Sequence, residues 1–155
     1  MKKGKIITTA IIKGGTGKTT TAAAIAQAAA KDKKRVLAVD LDPQANFSYC
    51  LNADPAAPGS WQALNGADPD EVIQKTPQGI YCIAGSANLA EEKTAAASAL
   101  RLKKFLDPIK NDYDFIIIDT PPQLSDLTYN ALYTSDIVIN PWKPIITAYK
   151  AFIIF

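Results

Sequence analysis

Ile12-Lys13-Gly14-Gly15-Thr16-Gly17-Lys18-Thr19 stands directly after a β-branched apolar run and directly before an alanine-rich one. The order strand, glycine-rich turn, Lys-Thr, helix is that of a phosphate-binding loop, whose usual pattern is G-x-x-x-x-G-K-[ST]. Gly17, Lys18 and Thr19 fill the last three places, but Ile12 holds the first, where glycine is usual. Lys13 then adds a cation that the usual loop lacks. Glycines allow backbone N–H groups to turn inward around phosphate oxygens and leave no side chain in the way. Gly14, Gly15 and Gly17 supply this, and a helix opening at Thr19 adds its positive end. Lys18 is placed to reach the β- and γ-phosphates, and the Thr19 hydroxyl to ligate Mg²⁺. Thr16 and Thr20 complete the expected nucleotide-binding stretch, Lys13 to Thr20. The stretch predicts triphosphate binding in a variant form.

Two acidic strand ends belong with this loop. Phe115-Ile116-Ile117-Ile118-Asp119 is an apolar strand that closes on an acid, which has Walker-B form and places Asp119 to hold Mg²⁺. Val39-Asp40-Leu41-Asp42-Pro43-Gln44 puts two carboxylates where a second strand ends, on the ligand-binding edge of such sheets. Alternate residues of a strand share a face, so Asp40 and Asp42 are expected to point the same way. One would support the Mg²⁺ shell and the other would orient the attacking water.

The rest of the chain alternates strands and helices. Buried strands are expected at Lys5 to Ile12, Val36 to Asp40, Ile80 to Ala84, Phe115 to Asp119 and Ile137 to Asn140. Helices are expected at Thr19 to Asp32, at Leu89 to Lys110 with a break near Asp107–Pro108, and at Ser125 to Tyr133 with a serine cap. Between Asn52 and Gly79 four prolines mark loops, with short helices near Trp61 and after Asp68–Pro69. Strands that are apolar throughout argue a parallel sheet covered on both faces. After Pro144 the chain reads as a helix that stops on Phe152-Ile153-Ile154-Phe155, and such an uncapped apolar end looks interrupted; a C-terminal element docked on the core is the other reading.

The bulk numbers fit one soluble domain spanning residues 1–155. Hydrophobic content is 48% and charged content 21%, with a net charge of +2. Nine basic residues stand at or before Arg35 against the single acid Asp32. Four of them, Lys31, Lys33, Lys34 and Arg35, close a helix where cations suit the dipole; a DNA-touching patch is the other reading. Histidine is absent, which excludes His-based catalysis and His-ligated metal. Cys50 and Cys82 lie far apart and read as core thiols of a reducing cytosol. No apolar run reaches the roughly 18 residues of a membrane span. The basic start runs straight into the loop and cannot be a cleaved leader, so the reading is cytoplasmic, without membrane partners.

Three segments in this order resemble the ParA/MinD group of deviant Walker ATPases, and the ParA branch most closely. They are Lys13-Gly-Gly-Thr-Gly-Lys-Thr-Thr20, Val39-Asp-Leu-Asp-Pro-Gln-Ala-Asn46 and Phe115-Ile-Ile-Ile-Asp-Thr-Pro-Pro122. Ile80 to Leu89 also looks like the family's third strand and following turn. The resemblance implies a P-loop NTPase three-layer α/β sandwich, here incomplete at its C-terminal side. It implies Mg-ATP hydrolysis by a dimerising switch that partitions plasmids or chromosomes. Lys13 would cross the interface of an ATP-sandwiched homodimer and touch the partner's phosphates, like an arginine finger. Lys18 and Thr19 keep their roles, Asp42 positions the hydrolytic water, and Asp40 and Asp119 are metal-shell acids. Non-specific DNA binding and a ParB-type partner that stimulates hydrolysis follow from the same resemblance.

Ile12 departs from the polar residue common in the family. The chain is also shorter than its members, whose remainder supplies further strands, much of the adenine pocket, part of the pairing face and DNA-binding residues. Cys50 and Cys82 do not match the cysteine pair of the iron–sulfur relatives. Two other readings stand beside the ATPase switch. One is a truncated, non-catalytic nucleotide-binding remnant. The other is a MinD-like or cargo-positioning ATPase that works on a membrane or protein assembly.

Overall fold

A computed structural model describes residues 4–91, 100–141 and 152–154. The strands are β1 (Lys5–Thr9), β2 (Val36–Asp40), β3 (Ile73–Lys75), β4 (Tyr81–Ile83), β5 (Phe115–Asp119), β6 (Ile137–Asn140) and β7 (Phe152–Ile154). They form one sheet in the order β3-β4-β2-β5-β1-β6-β7. Pairing from β4 through β6 is parallel, and the edge strands β3 and β7 run antiparallel. The helices are α1 (Lys18–Lys31), α2 (Asn46–Cys50), α3 (Ser60–Leu64), α4 (Pro69–Val72), α5 (Arg101–Leu106) and α6 (Asp126–Thr134). The mostly parallel three-layer α/β sandwich expected from the sequence is the architecture observed.

Strand side chains alternate between two cores. Leu37, Val39, Ile116 and Ile118 join α3, α5 and α6 through Ala63, Leu64, Leu102, Leu106, Leu127 and Ala131. Val36, Ala38 and Ile117 point the other way, onto Ala22, Ala23 and Ala26 of α1 and Phe47 of α2. This two-residue period is the geometry of a pleated strand buried on both faces. Alanines on the inner side of α1 let that helix lie close against β5, so the loop before it sits over the strand ends.

Helix α1 ends in a Schellman turn. The N–H of Lys33 donates to the Ala30 carbonyl and that of Lys34 to Ala29. Lys33 has φ 58°, the left-handed conformation usually given to glycine at this place. Its side chain is exposed, so Lys33→Gly removes strain without removing buried surface. Lys33→Gly is expected to stabilise the chain by about 0.5–1 kcal/mol in urea unfolding.

Several expectations are corrected. β1 stops at Thr9 rather than Ile12: the Ala10 N–H makes a last bond to the Ile139 carbonyl and the chain then enters the glycine loop. Ile12 is 66% exposed. β3 and α2 were not expected. The antiparallel β3 has three residues and follows α4 without a turn signal. α2 starts from Ala45, whose φ of 54° no glycine announces. Ser125 occupies the N-cap of α6 but makes no side-chain cap bond.

Part of the long helix expected from Leu89 falls on residues 92–99, outside the described residues. Ala87–Glu91 is a 3₁₀ turn, and α5 ends at Leu106, next to the expected break at Asp107–Pro108. At Phe152–Ile154, where a helix was expected, the chain pairs as β7 with β6. The Asp68 cap is observed: its carboxylate accepts from the Asp70 N–H, with Pro69 in the first turn. Cys82 is buried as expected, whereas Cys50 is exposed and not a core thiol. Among the described residues no helix is long and apolar enough to cross a membrane.

Candidate functional site

Parallel pairing brings the chemistry to one edge. β1 pairs with β5 so that Thr9 lies opposite Asp119, and β2 pairs with β5 so that Asp40 lies opposite Asp119. The loop of residues 10–17 leaves β1 at this edge and opens α1. The first turn of α1 carries no acidic residue of its own, which leaves its positive end suited to an anion.

The loop keeps an open mouth. A Cβ built on Gly14, Gly15 or Gly17 would meet no atom within 4 Å. Gly15 and Gly17 have φ values of 70° and 92°, which other residues rarely adopt. At Gly59, by contrast, a Cβ would lie 2.1 Å from the Ala84 carbonyl oxygen. The loop glycines are therefore not packing devices; the space beside them is free for a ligand.

Lys18 lies beneath the loop and is only 7% exposed. Its Nζ donates to the carbonyl of Lys13 at 3.3 Å, and the Thr16 hydroxyl donates to the same oxygen at 3.3 Å. These bonds hold the backbone of Lys13 while its side chain stays exposed. Thr20 is exposed on the first turn of α1.

Asp119 is fully buried and both its oxygens are engaged. The Thr19 hydroxyl donates to Oδ2 at 2.6 Å and the Thr9 hydroxyl to Oδ1 at 2.9 Å. Burial pushes its carboxyl above the usual range, and the two hydroxyls oppose that shift. Thr9 was missed in the sequence, where it reads as one more β-branched strand residue. The hydroxyl–carboxylate pair of Thr19 and Asp119 joins the first turn of α1 to the end of β5. One hard oxygen donor beside one carboxylate suits a divalent cation such as Mg²⁺.

Asp40 and Asp42 are not both residues of the strand. β2 ends at Asp40, so strand alternation does not extend to Asp42. The Asp40 carboxylate turns into the protein: Oδ1 accepts from the Asp42 N–H at 3.0 Å, and Oδ2 accepts from the Ser48 N–H at 2.8 Å and hydroxyl at 2.7 Å. Burial pushes its pKa up to about 7, against the pull of these bonds. The expectation that Asp40 belongs to the metal shell thus meets a carboxylate already filled by protein donors. Asp42 remains beside Asp119, whose carboxyl it helps to raise, and its Oδ1 accepts from the Gln44 N–H at 2.9 Å.

On the other flank of the loop lies a cavity of about 450 Å³. Ile11, Ile12, Lys13, Leu124, Leu132 and Asn140 are among its lining residues. Ile12 and Leu124 are both largely exposed.

A family model described as an AAA domain matches residues 4–151. The sporulation initiation inhibitor protein Soj of Bacillus subtilis is 38% identical over 146 residues, covering 89% of this chain and 58% of Soj. The chain belongs to the ParA/MinD family of P-loop ATPases, in its partition branch. Solved structures of the family's fold agree. Cobyrinic acid a,c-diamide synthase from Mycobacterium smegmatis, with bound ATP analogue and magnesium, superposes with a TM-score of 0.84 at 35% identity. That match covers 90% of this chain and 60% of the synthase. A putative plasmid partition protein from Borrelia burgdorferi bound to AMPPNP gives 0.77 at 33% identity, over 90% of this chain and 63% of that one. This ParA/MinD chain therefore spans about three fifths of the length of these relatives.

Proposed function

We propose that this chain forms the phosphate- and magnesium-handling part of a cytoplasmic ParA-like partition ATPase that hydrolyses ATP. The observation that carries the reading is the Thr19–Asp119 pair at 2.6 Å under an open glycine loop. The N–H groups of residues 14–19 and the positive end of α1 bind the phosphates. Lys18 neutralises the β- and γ-phosphate oxygens, giving up the neutral carbonyl of Lys13 for an anion. Thr19 and Asp119 would hold Mg²⁺, which supplies charge neutralisation across the phosphates when bound. Asp42 orients the attacking water, and Asp40 holds the Asp42 loop.

Lys13 reaches the phosphates of a second copy in an ATP-dependent homodimer. The exposed Ile12 and Leu124 that flank it suit a face that is covered on pairing. A ParB-type partner and non-specific DNA are proposed for the full-length family member rather than for the residues described. Phosphate release from Mg-ATP by the purified chain tests the reading: turnover no faster than a protein-free blank overturns it. If DNA is bound in the presence of ATP, the affinity must fall as salt rises.

A pH dependence follows from Asp119. Its carboxyl keeps a proton to higher pH than a free carboxyl does, and a cation can bind only once that proton is gone. Mg²⁺ affinity is therefore expected to rise with pH and then level off. Calorimetric titration of the ADP-loaded chain with Mg²⁺ between about pH 5 and about pH 8 measures this. A flat profile contradicts it.

A further inference from the structure

We propose that Ser48 is a positioning residue for hydrolysis, fixing Asp42 through the carboxylate of Asp40; this rests on the reading that Asp42 orients the attacking water. Asp42 lies past the end of β2 and has no ladder bonds to hold it. Three hydrogen bonds around it, two between backbone groups and one to a side chain, place it instead. The Leu41 N–H donates to the Asp119 carbonyl at 3.0 Å, the Asp42 N–H to Asp40 Oδ1 at 3.0 Å, and the Ala45 N–H to the Asp42 carbonyl at 2.9 Å.

The middle bond depends on how Asp40 is turned, and Ser48 decides that. Its hydroxyl donates to Asp40 Oδ2 at 2.7 Å and accepts from the Gly85 N–H at 3.0 Å. Ser48 is itself fully buried, so its hydroxyl has no competing water. Gly85 completes the clamp by close approach: a Cβ there would lie 2.6 Å from the Asp42 carbonyl oxygen and 2.9 Å from Asp40 Cγ. Ser60 adds a hydroxyl bond to the Asp40 carbonyl at 2.6 Å. The strand-end acid, α2 and the loop after β4 thus form one buried polar node whose free end is the Asp42 turn. A shift of about 1 Å in a water-orienting group lowers turnover by up to about a hundredfold.

The test is steady-state Mg-ATP hydrolysis by the chain and its variants, with amide hydrogen exchange on the same samples. Ser48→Ala is expected to lower kcat about tenfold and leave KM within about twofold. Ser48→Thr, which keeps the hydroxyl, is expected to restore kcat to within about threefold of the parent. Ser48→Cys keeps the volume and weakens the donor, and is expected to fall between alanine and threonine. In an Asp42→Ala background, Ser48→Ala is expected to change nothing further, because the group it positions is gone. An unchanged kcat in Ser48→Ala, or an equal fall in the Asp42→Ala background, overturns the proposal.

If the parent chain shows no turnover at all, the ATPase reading fails and the exchange data decide this proposal alone. Exchange at the Asp42 and Gly85 amides is expected to quicken about tenfold in Ser48→Ala. Unchanged exchange there overturns it.

Discussion

Lys13→Ala is expected to leave nucleotide binding within about threefold of the parent and to lower ATP turnover about a thousandfold. The split follows from where Lys13 sits. Its backbone carbonyl is a fixed part of the loop, accepting from Lys18 and Thr16, and alanine keeps that carbonyl. Its side chain is exposed and, among the described residues, makes no hydrogen bond or ion pair in the site. A cation placed this way adds little to holding the chain's own nucleotide. Brought to a second copy's γ-phosphate, it stabilises the charge that builds during transfer, which is worth about 4 kcal/mol for a thousandfold effect. Sedimentation with a slowly hydrolysed ATP analogue reads the same residue independently. The parent should pair and Lys13→Ala should stay monomeric. Equal turnover in the two chains contradicts the role.

Lys18→Ala is expected to weaken Mg-ATP binding about a hundredfold, near 2.7 kcal/mol. It is also expected to leave the melting temperature unchanged or slightly raised. The two outcomes have one cause. Lys18 is nearly buried, and its ammonium donates to a single neutral carbonyl at 3.3 Å. A desolvated cation whose hydrogen-bond partner is neutral, and whose charge is only the last of the influences on the Asp119 carboxyl, contributes little to folding, and removing it relieves that cost. The same cation gains a charge-assisted contact as soon as phosphate enters the loop. Binding and melting measured on one preparation check both outcomes. Undiminished binding contradicts the assignment of Lys18, and collapse of the fold contradicts the account of its burial.

The parallel sheet was legible because β2 and β5 are apolar on both faces and each closes on aspartate. The loop was legible because glycines, lysine and threonine occur in a fixed order before an uninterrupted helix. What stayed hidden depends on contacts distant in sequence or on backbone that no residue type advertises. Asp40 and Asp119 are both acids at strand ends, paired in register, and look equivalent in the sequence. Their surroundings diverge because Ser48, eight residues on, turns Asp40 inward, while Thr9 and Thr19 hold Asp119. The helix that carries Ser48 starts at a left-handed Ala45, where a glycine would have signalled the turn. The edge strand β3 has three residues and joins α4 without a break, too short for an alternating pattern to show.

The central claim is that the backbone from Gly14 to Thr19 holds the phosphates of Mg-ATP. Amide hydrogen exchange across this loop, with and without Mg-ATP, tests it most directly. The account predicts slower exchange at the loop amides and the first turn of α1, by at least about tenfold, with the far edge at β3 unaffected. Exchange in the loop that is the same with and without nucleotide would contradict it.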